Sequence, residues 1–179
     1  MKKKRRLLRN LLCFILIVGA VFFGSNLVMK QMYPIKYEEY VEEYASQQNL
    51  EPELVYAVIK CESGFDPQAV SVVDAKGLMQ MTDETFEWLQ TKTKESMEPT
   101  ALFDPETSIR YGTMLLRMHL DEFGDLSLAL AAYHAGRGRV NQWIDEAEDA
   151  NSTEIIQYED TQSYVSKVTE AKKVYETLY

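Results

Sequence analysis

The chain has 179 residues, 46% of them hydrophobic and 26% charged, which suits one globular domain plus an additional segment and excludes a wholly disordered chain. Its formal net charge of −9 is uneven: six of the nineteen Lys and Arg fall within residues 1–10, leaving thirteen against all 28 acidic residues, a balance of −15. That acidic body excludes nucleic acid as a partner, because phosphates need a basic surface, and it fits a neutral or mixed-charge substrate.

Residues 1–9 are a basic segment that includes Lys2, Lys3, Lys4, Arg5, Arg6 and Arg9. No charged residue follows from Asn10 to Met29. About 20 helical residues span the roughly 30 Å hydrocarbon core of a bilayer, so 10–29 is expected to be a transmembrane anchor. Cations before the run keep the N-terminus in the cytoplasm and put the C-terminal body on the extracellular or periplasmic side of the cell membrane, as a single-pass protein. A cleaved signal peptide is the alternative, with Val18-Gly19-Ala20 as the small-residue site. It would leave Val21, Phe22 and Phe23 at the mature start, so the uncleaved anchor is preferred. Either reading exports the body. Cys13 lies in the apolar run and Cys61 in the body, so no internal disulfide is expected.

Residues 30–36 read as a linker, with Pro34 ending any helix from the membrane. From 37 to 179 the pattern is helical, and about seven helices are expected. Tyr37, Tyr40, Val41 and Tyr44 share one face. Pro52 opens a second helix carrying Leu54, Val55, Val58 and Ile59, which ends near Glu62 because Ser63-Gly64 and Asp66-Pro67 follow. Thr82 or Asp83 caps a helix with Phe86 and Leu89. Asp104-Pro105-Glu106 starts another, with Ile109, Thr113, Leu116 and Leu120 inward and Gly124 at its end. Leu126 to Tyr133 is short and almost wholly apolar, so a buried helix is expected. Val140, Trp143, Ile144 and Ala147 mark the next, and a last helix runs from about Tyr164 through Val168, Ala171, Tyr175 and Leu178. No stretch alternates like a strand before a hairpin turn. The fold class is all-α.

Glu62 stands at a helix end after a run of apolar residues. Partial desolvation there raises a carboxyl pKa and lets it donate a proton near neutrality. Two further segments combine polar groups with glycine: Gly77-Leu78-Met79-Gln80, and Ala132-Tyr133-His134-Ala135-Gly136. Taken singly, each has a plain structural explanation: a solvated glutamate, a buried turn, a helix C-terminus with a satisfied histidine. Other chemistries fit poorly. The two histidines, His119 and His134, form no His-Glu-x-x-His helix, and there is no cysteine cluster, so no metal is expected. Gly136-Arg137-Gly138 lacks the third glycine and preceding strand of a dinucleotide loop, and no Gly-x-Ser-x-Gly elbow appears. No cofactor is expected. Asn151-Ser152-Thr153 matches a glycosylation acceptor and is read as a chance match in a loop.

Order adds what the single motifs lack. Ile-Lys-Cys-Glu-Ser-Gly-Phe-Asp-Pro (59–67), Ser71, Gly-Leu-Met-Gln (77–80), Leu-Phe-Asp-Pro-Glu (102–106), Ala-Tyr-His-Ala-Gly (132–136) and Tyr-Val-Ser-Lys-Val (164–168) follow one another as in the soluble-lytic-transglycosylase-like family of the lysozyme-like superfamily. The resemblance covers roughly Leu50 to Lys172. It implies a lysozyme-like helical domain over 37–179 with a glycan-binding cleft. It also implies a peptidoglycan lytic transglycosylase that cuts the β-1,4 bond between N-acetylmuramic acid and N-acetylglucosamine without adding water, leaving 1,6-anhydromuramic ends. The catalytic acid and base falls on Glu62. Ser71 falls on a cleft serine able to bond that carboxyl, and Gly77, Leu78, Met79 and Gln80 fall on a cleft wall in which Met79 gives an apolar contact. Tyr133 and Tyr164 fall on cleft tyrosines. Two departures stand out: His134 replaces the family's asparagine at the reacting sugar, and Asp160-Thr161 replaces Glu-Thr. A hydrolytic muramidase on the same fold and a glycan-binding module without activity are the competing readings. The expected partners are peptidoglycan strands and the membrane, with any partner in an envelope machine unidentified.

Overall fold

In the computed structural model, which describes residues 2–147 and 152–179, the basic segment and the uncharged run form one helix, α1 (Lys2–Met32). Met1 and residues 148–151, and with them Asn151 of the glycosylation match, lie outside the described residues. The helix continues past Met29 because Lys30, Gln31 and Met32 are good helix formers, and it stops before Pro34, whose ring disfavours helical backbone in the residue ahead of it. Cys13–Met32, 20 residues, is long and apolar enough to cross a membrane. Phe14, Leu16, Phe22 and Phe23 are each more than half exposed along it. This helix with residues 177–179 forms one unit, and Ile35–Glu176 forms the other.

After α1 the described residues form α2 (Glu38–Gln47), α3 (Pro52–Glu62), α4 (Asp83–Thr93), a 3₁₀ turn (Pro99–Phe103), α5 (Pro105–Phe123), α6 (Leu126–Ala135), α7 (Arg137–Glu146), α8 (Ser152–Ile155) and α9 (Glu159–Leu178), all within the second unit except the last two residues of α9. No strand occurs among them; Val70, Lys76 and Met81 make only isolated bridges. Local chemistry explains the boundaries. The Thr82 hydroxyl accepts from the Thr85 N–H at 3.3 Å, so Thr82 rather than Asp83 is the cap of α4. Asp104 accepts from the Thr107 N–H at 2.9 Å ahead of Pro105, and Gly124 ends α5 at φ 65. Asp125 accepts from Leu128 N–H at 3.0 Å and starts α6. Two features depart from the sequence expectation. The four-residue α8 is too short to leave a periodic pattern, and α9 begins five residues before Tyr164, its all-polar first turn leaving no apolar spacing to mark the start.

Three helices position the site. All six residues from Leu54 to Ile59 are buried, so α3 passes through the core and delivers its last residue, Glu62, to the edge. Leu128–Ala132 of α6 are buried likewise, against the long α5. Beside them Met81, Phe86, Leu89, Leu102, Tyr111 and Leu115 make one apolar cluster, in which the Phe86 and Tyr111 rings meet edge to face at 4.7 Å. Each such side chain contributes about 1.5–3 kcal/mol by leaving water.

The segment between α3 and α4 is clamped onto this scaffold. A Cβ on Gly77 would sit 1.9 Å from the Leu102 carbonyl oxygen, and its φ is +77. A Cβ on Gly112 of α5 would sit 2.2 Å from Met79 Sδ. Only glycine leaves room for the Leu102 backbone at the first position and for the Met79 side chain at the second. Lys76 Nζ bonds Asp74 Oδ2 at 2.8 Å and Asp83 Oδ1 at 2.6 Å, tying the loop to the first turn of α4.

Candidate active site

Glu62 ends α3 in a half-buried position and is held there by two contacts. Its Oε1 accepts a hydrogen bond from the Tyr164 hydroxyl of α9 at 2.6 Å. Its neighbour Ser63 donates through Oγ to the Leu78 carbonyl at 2.9 Å and accepts from the Phe65 N–H at 3.2 Å, which stitches the end of α3 to the 77–80 segment. Burial pushes the Glu62 carboxyl up to about 7, and the Tyr164 hydrogen bond partly opposes that rise. Near neutrality the group is therefore shared between its acid and base forms. Burial, with Glu62 nearby, raises the Tyr164 and Tyr133 hydroxyls well above the usual tyrosine range, so both stay protonated donors.

A cleft of about 240 Å³ opens on this carboxyl and is lined by Ser71, Gln80, Thr82, Tyr133 and His134, with Val73 and Ala75 at its edge. Glu62 is the only acid among the described residues that line it. Of the residues expected from sequence, Glu62, Ser71, Gln80, Tyr133 and His134 share the cleft, and Tyr164 reaches it through Glu62.

The individual arrangements differ from expectation in four places. Ser71 Oγ accepts from the Val73 and Ala75 N–H groups at 3.3 and 3.1 Å; it closes its own turn, and it makes no bond to Glu62. Leu78 and Met79 have no exposed surface, so the expected apolar contact from Met79 to a ligand is corrected: its side chain fills the space above Gly112. Met79 acts through its backbone instead, its N–H donating to Ser108 Oγ at 3.1 Å and its carbonyl accepting from the Tyr133 hydroxyl at 2.7 Å. Gly77 is buried beneath the wall. Gln80, at φ 46, donates its amide N–H groups to the carbonyls of Ala69 and Gly77 at 3.1 and 2.9 Å, leaving its carbonyl oxygen as the group to meet a ligand.

His134 is exposed and stacks on the Tyr164 ring at 4.6 Å and 25°, with Nδ1 3.2 Å from the hydroxyl of buried Thr161. Burial of its stacked ring lowers the imidazole pKa; Asp160 raises it and Lys167 lowers it further. Thr161 and Ser63 carry structural roles that the sequence reading did not assign. Both stand inside quoted motifs, Ser63 directly after Glu62, and that adjacency was the available signal.

The profile of the transglycosylase SLT domain matches residues 39–156. A transglycosylase of Enterobacteria phage PRD1 is 40% identical over 97 residues, 54% of this chain and 34% of that protein. The soluble lytic murein transglycosylase of Escherichia coli K12 is 31% identical over 151 residues, 78% of this chain and 23% of that one. The membrane-bound lytic murein transglycosylase F of Pseudomonas putida is 30% identical over 149 residues, 72% of this chain and 28% of that one. Among solved structures, an inactive glutamate-to-glutamine mutant of the lytic transglycosylase Slt from Pseudomonas aeruginosa superimposes with a TM-score of 0.74 at 29% identity, over 81% of this chain and 24% of that one. The chain thus spans about a quarter to a third of the length of these relatives.

Proposed function

This chain belongs to the transglycosylase SLT family, and from that premise we propose that it cleaves peptidoglycan glycan strands non-hydrolytically, with Glu62 as the single acid and then base. The observation that carries the proposal is a cleft whose only carboxyl, among the described lining residues, is pushed up to about 7 and gripped by Tyr164. In the first step protonated Glu62 gives its proton to the glycosidic oxygen as that bond breaks. The cation-like muramic sugar is stabilised by its own 2-acetamido group. In the second step ionised Glu62 takes the proton of the same sugar's 6-hydroxyl, whose oxygen closes on C1 to form the 1,6-anhydro ring. Glu62 ends protonated as it began, and no water is consumed. Ordinary glycosidases divide this work between two carboxyls, one acting on water or as a nucleophile. Here one group with a pKa near the working pH serves both steps.

The other cleft residues position the carboxyl and the wall, and one meets the sugar. Tyr164 fixes the Glu62 carboxyl, Gln80 offers an amide oxygen, and Tyr133 braces the wall through Met79. The name of the P. putida relative, membrane-bound, and the apolar span Cys13–Met32 support a cell-membrane anchor, with the N-terminus inside and the catalytic unit outside. The test is Glu62→Gln, which keeps the shape of the side chain and removes its proton traffic. Release of soluble muropeptides from purified peptidoglycan is expected to fall by about 10²–10⁴-fold with the helical circular dichroism unchanged. Near-normal release would remove Glu62 from its role.

A further inference from the structure

Residues 177–179 belong to the same unit as α1. Two contacts within that unit hold them there. The Tyr179 hydroxyl donates to the Tyr33 carbonyl at 3.0 Å, across 146 residues of sequence. Lys30 Nζ lies 4.7 Å from the centroid of the Tyr179 ring, a cation over a π face.

The place of these contacts along α1 identifies what surrounds them. The apolar span Cys13–Met32 has 20 residues, and at about 1.5 Å per residue it matches the roughly 30 Å hydrocarbon core of a bilayer. Tyr33 follows the last residue of that span, and Lys30 stands in its final turn. Both residue types suit the boundary between hydrocarbon and water. Tyrosine has an apolar ring and a polar tip, and a lysine stem lies along apolar surface while its ammonium reaches water. Because α1 ends at Met32, the helix itself brings no N–H to the Tyr33 carbonyl. An unmet carbonyl is costly beside hydrocarbon, and Tyr179 meets this one. Tyr179 is still 53% exposed, and Leu27, Val28 and Met32, in the last two turns of α1, are each more than half exposed. An open aromatic ring with a lysine and three open aliphatic side chains fits a lipid–water interface better than water alone.

We propose that Lys30, Tyr33 and Tyr179 form an interfacial clasp that seats residues 177–179 among the lipid headgroups. The clasp rests on the reading of α1 as a membrane anchor and adds a second contact to it. The bilayer is then held at two places far apart in sequence, the apolar span and residue 179.

The test places an indole at the clasp. Tyr179→Trp keeps an aromatic ring for Lys30 and a donor for the Tyr33 carbonyl. The full chain, unsubstituted and with Tyr179→Trp, is reconstituted in phosphatidylcholine vesicles whose acyl chains carry bromine, a contact quencher, either near the carbonyl end or near the tail. The two native tryptophans, Trp88 and Trp143, emit from both proteins, so the difference in emission reports residue 179. That difference is expected to be lost with bromine near the carbonyl end and largely kept with bromine near the tail. Flotation of the same vesicles reports the anchor separately. A chain that floats with its added emission unquenched by either lipid overturns the clasp and leaves the anchor standing. Quenching strongest from the tail overturns it too, by placing residue 179 in hydrocarbon. Unquenched emission that changes with the protein-to-lipid ratio assigns the patch to a second copy of the chain and overturns the clasp likewise. A chain that does not float overturns the anchor reading and the clasp with it.

Discussion

Glu62 carries a cost that its folded position makes measurable. Its pKa is about 7 in the folded chain against an ordinary 4.5, so the folded state prefers the protonated carboxyl. The stability this contributes is fully present below about 4.5 and is lost as pH rises through about 7, a difference on the order of 3 kcal/mol between the two limits. Glu62→Gln cannot ionise, so it is expected to unfold at the same temperature as the parent at pH 4 and at a higher one at pH 8, and equal melting temperatures at both would contradict the buried-acid account. His134 makes a second residue-level prediction. Its pKa lies below the ordinary histidine value because Tyr164 covers one ring face, so the ring is neutral at pH 7 and gains its charge only in the acid range. A positive charge on the ring stacked against the tyrosine that grips Glu62 opposes a cation-like transition state. His134→Asn is expected to match the parent rate near neutrality and to fall off less below pH 6.5; superimposable acidic limbs would show that His134 only packs. At this scale the sequence was informative about which residue types meet, through the order of motifs, and uninformative about their partners. Ser71 and Met79 show the limit: the same residue type at the same place can face a ligand or turn inward, and the choice depends for Ser71 on the closure of its own turn and for Met79 on packing against Gly112 of α5, more than thirty residues away in sequence.

The elements divide by how much they announce themselves. α3 and α6 were legible because continuous apolar runs bounded by Pro52 and Glu62, or by Asp125 and Gly136, admit little besides a buried helix. α5 was legible from its capping triplet. The wall at 75–81 was not, since it has no period: its form comes from close approach to Leu102 and Gly112, which are distant in sequence. That dependence is testable. Gly77→Ala adds a Cβ that meets a backbone oxygen at a left-handed φ, whereas Gly64→Ala meets the same kind of φ with open space around it. The expected loss of stability is about 2–4 kcal/mol for Gly77→Ala and about 1 kcal/mol for Gly64→Ala, read from denaturation midpoints. Equal costs would mean that the wall yields, and that Gly77 is present for its conformation alone.

Taken whole, the molecule joins an apolar helix with a cationic start to an acidic helical unit whose cleft holds one raised carboxyl. The sequence made the division visible because charge and hydropathy change abruptly near residue 30, and composition needs no tertiary context to be read. It also made the helical class visible, through 3–4 spacing from Tyr37 onward. It could not show that Glu62 is the one carboxyl among the described residues that line the cleft, because 28 acidic residues are scattered along the chain and only folding sorts them in space. The single-carboxyl reaction depends on that sorting. Its most direct test is mass spectrometry of the muropeptides released from purified peptidoglycan by the full chain. The account predicts chains ending in 1,6-anhydromuramic acid, one water lighter than the hydrolytic product. Reducing muramic ends would contradict it and make the protein a hydrolase.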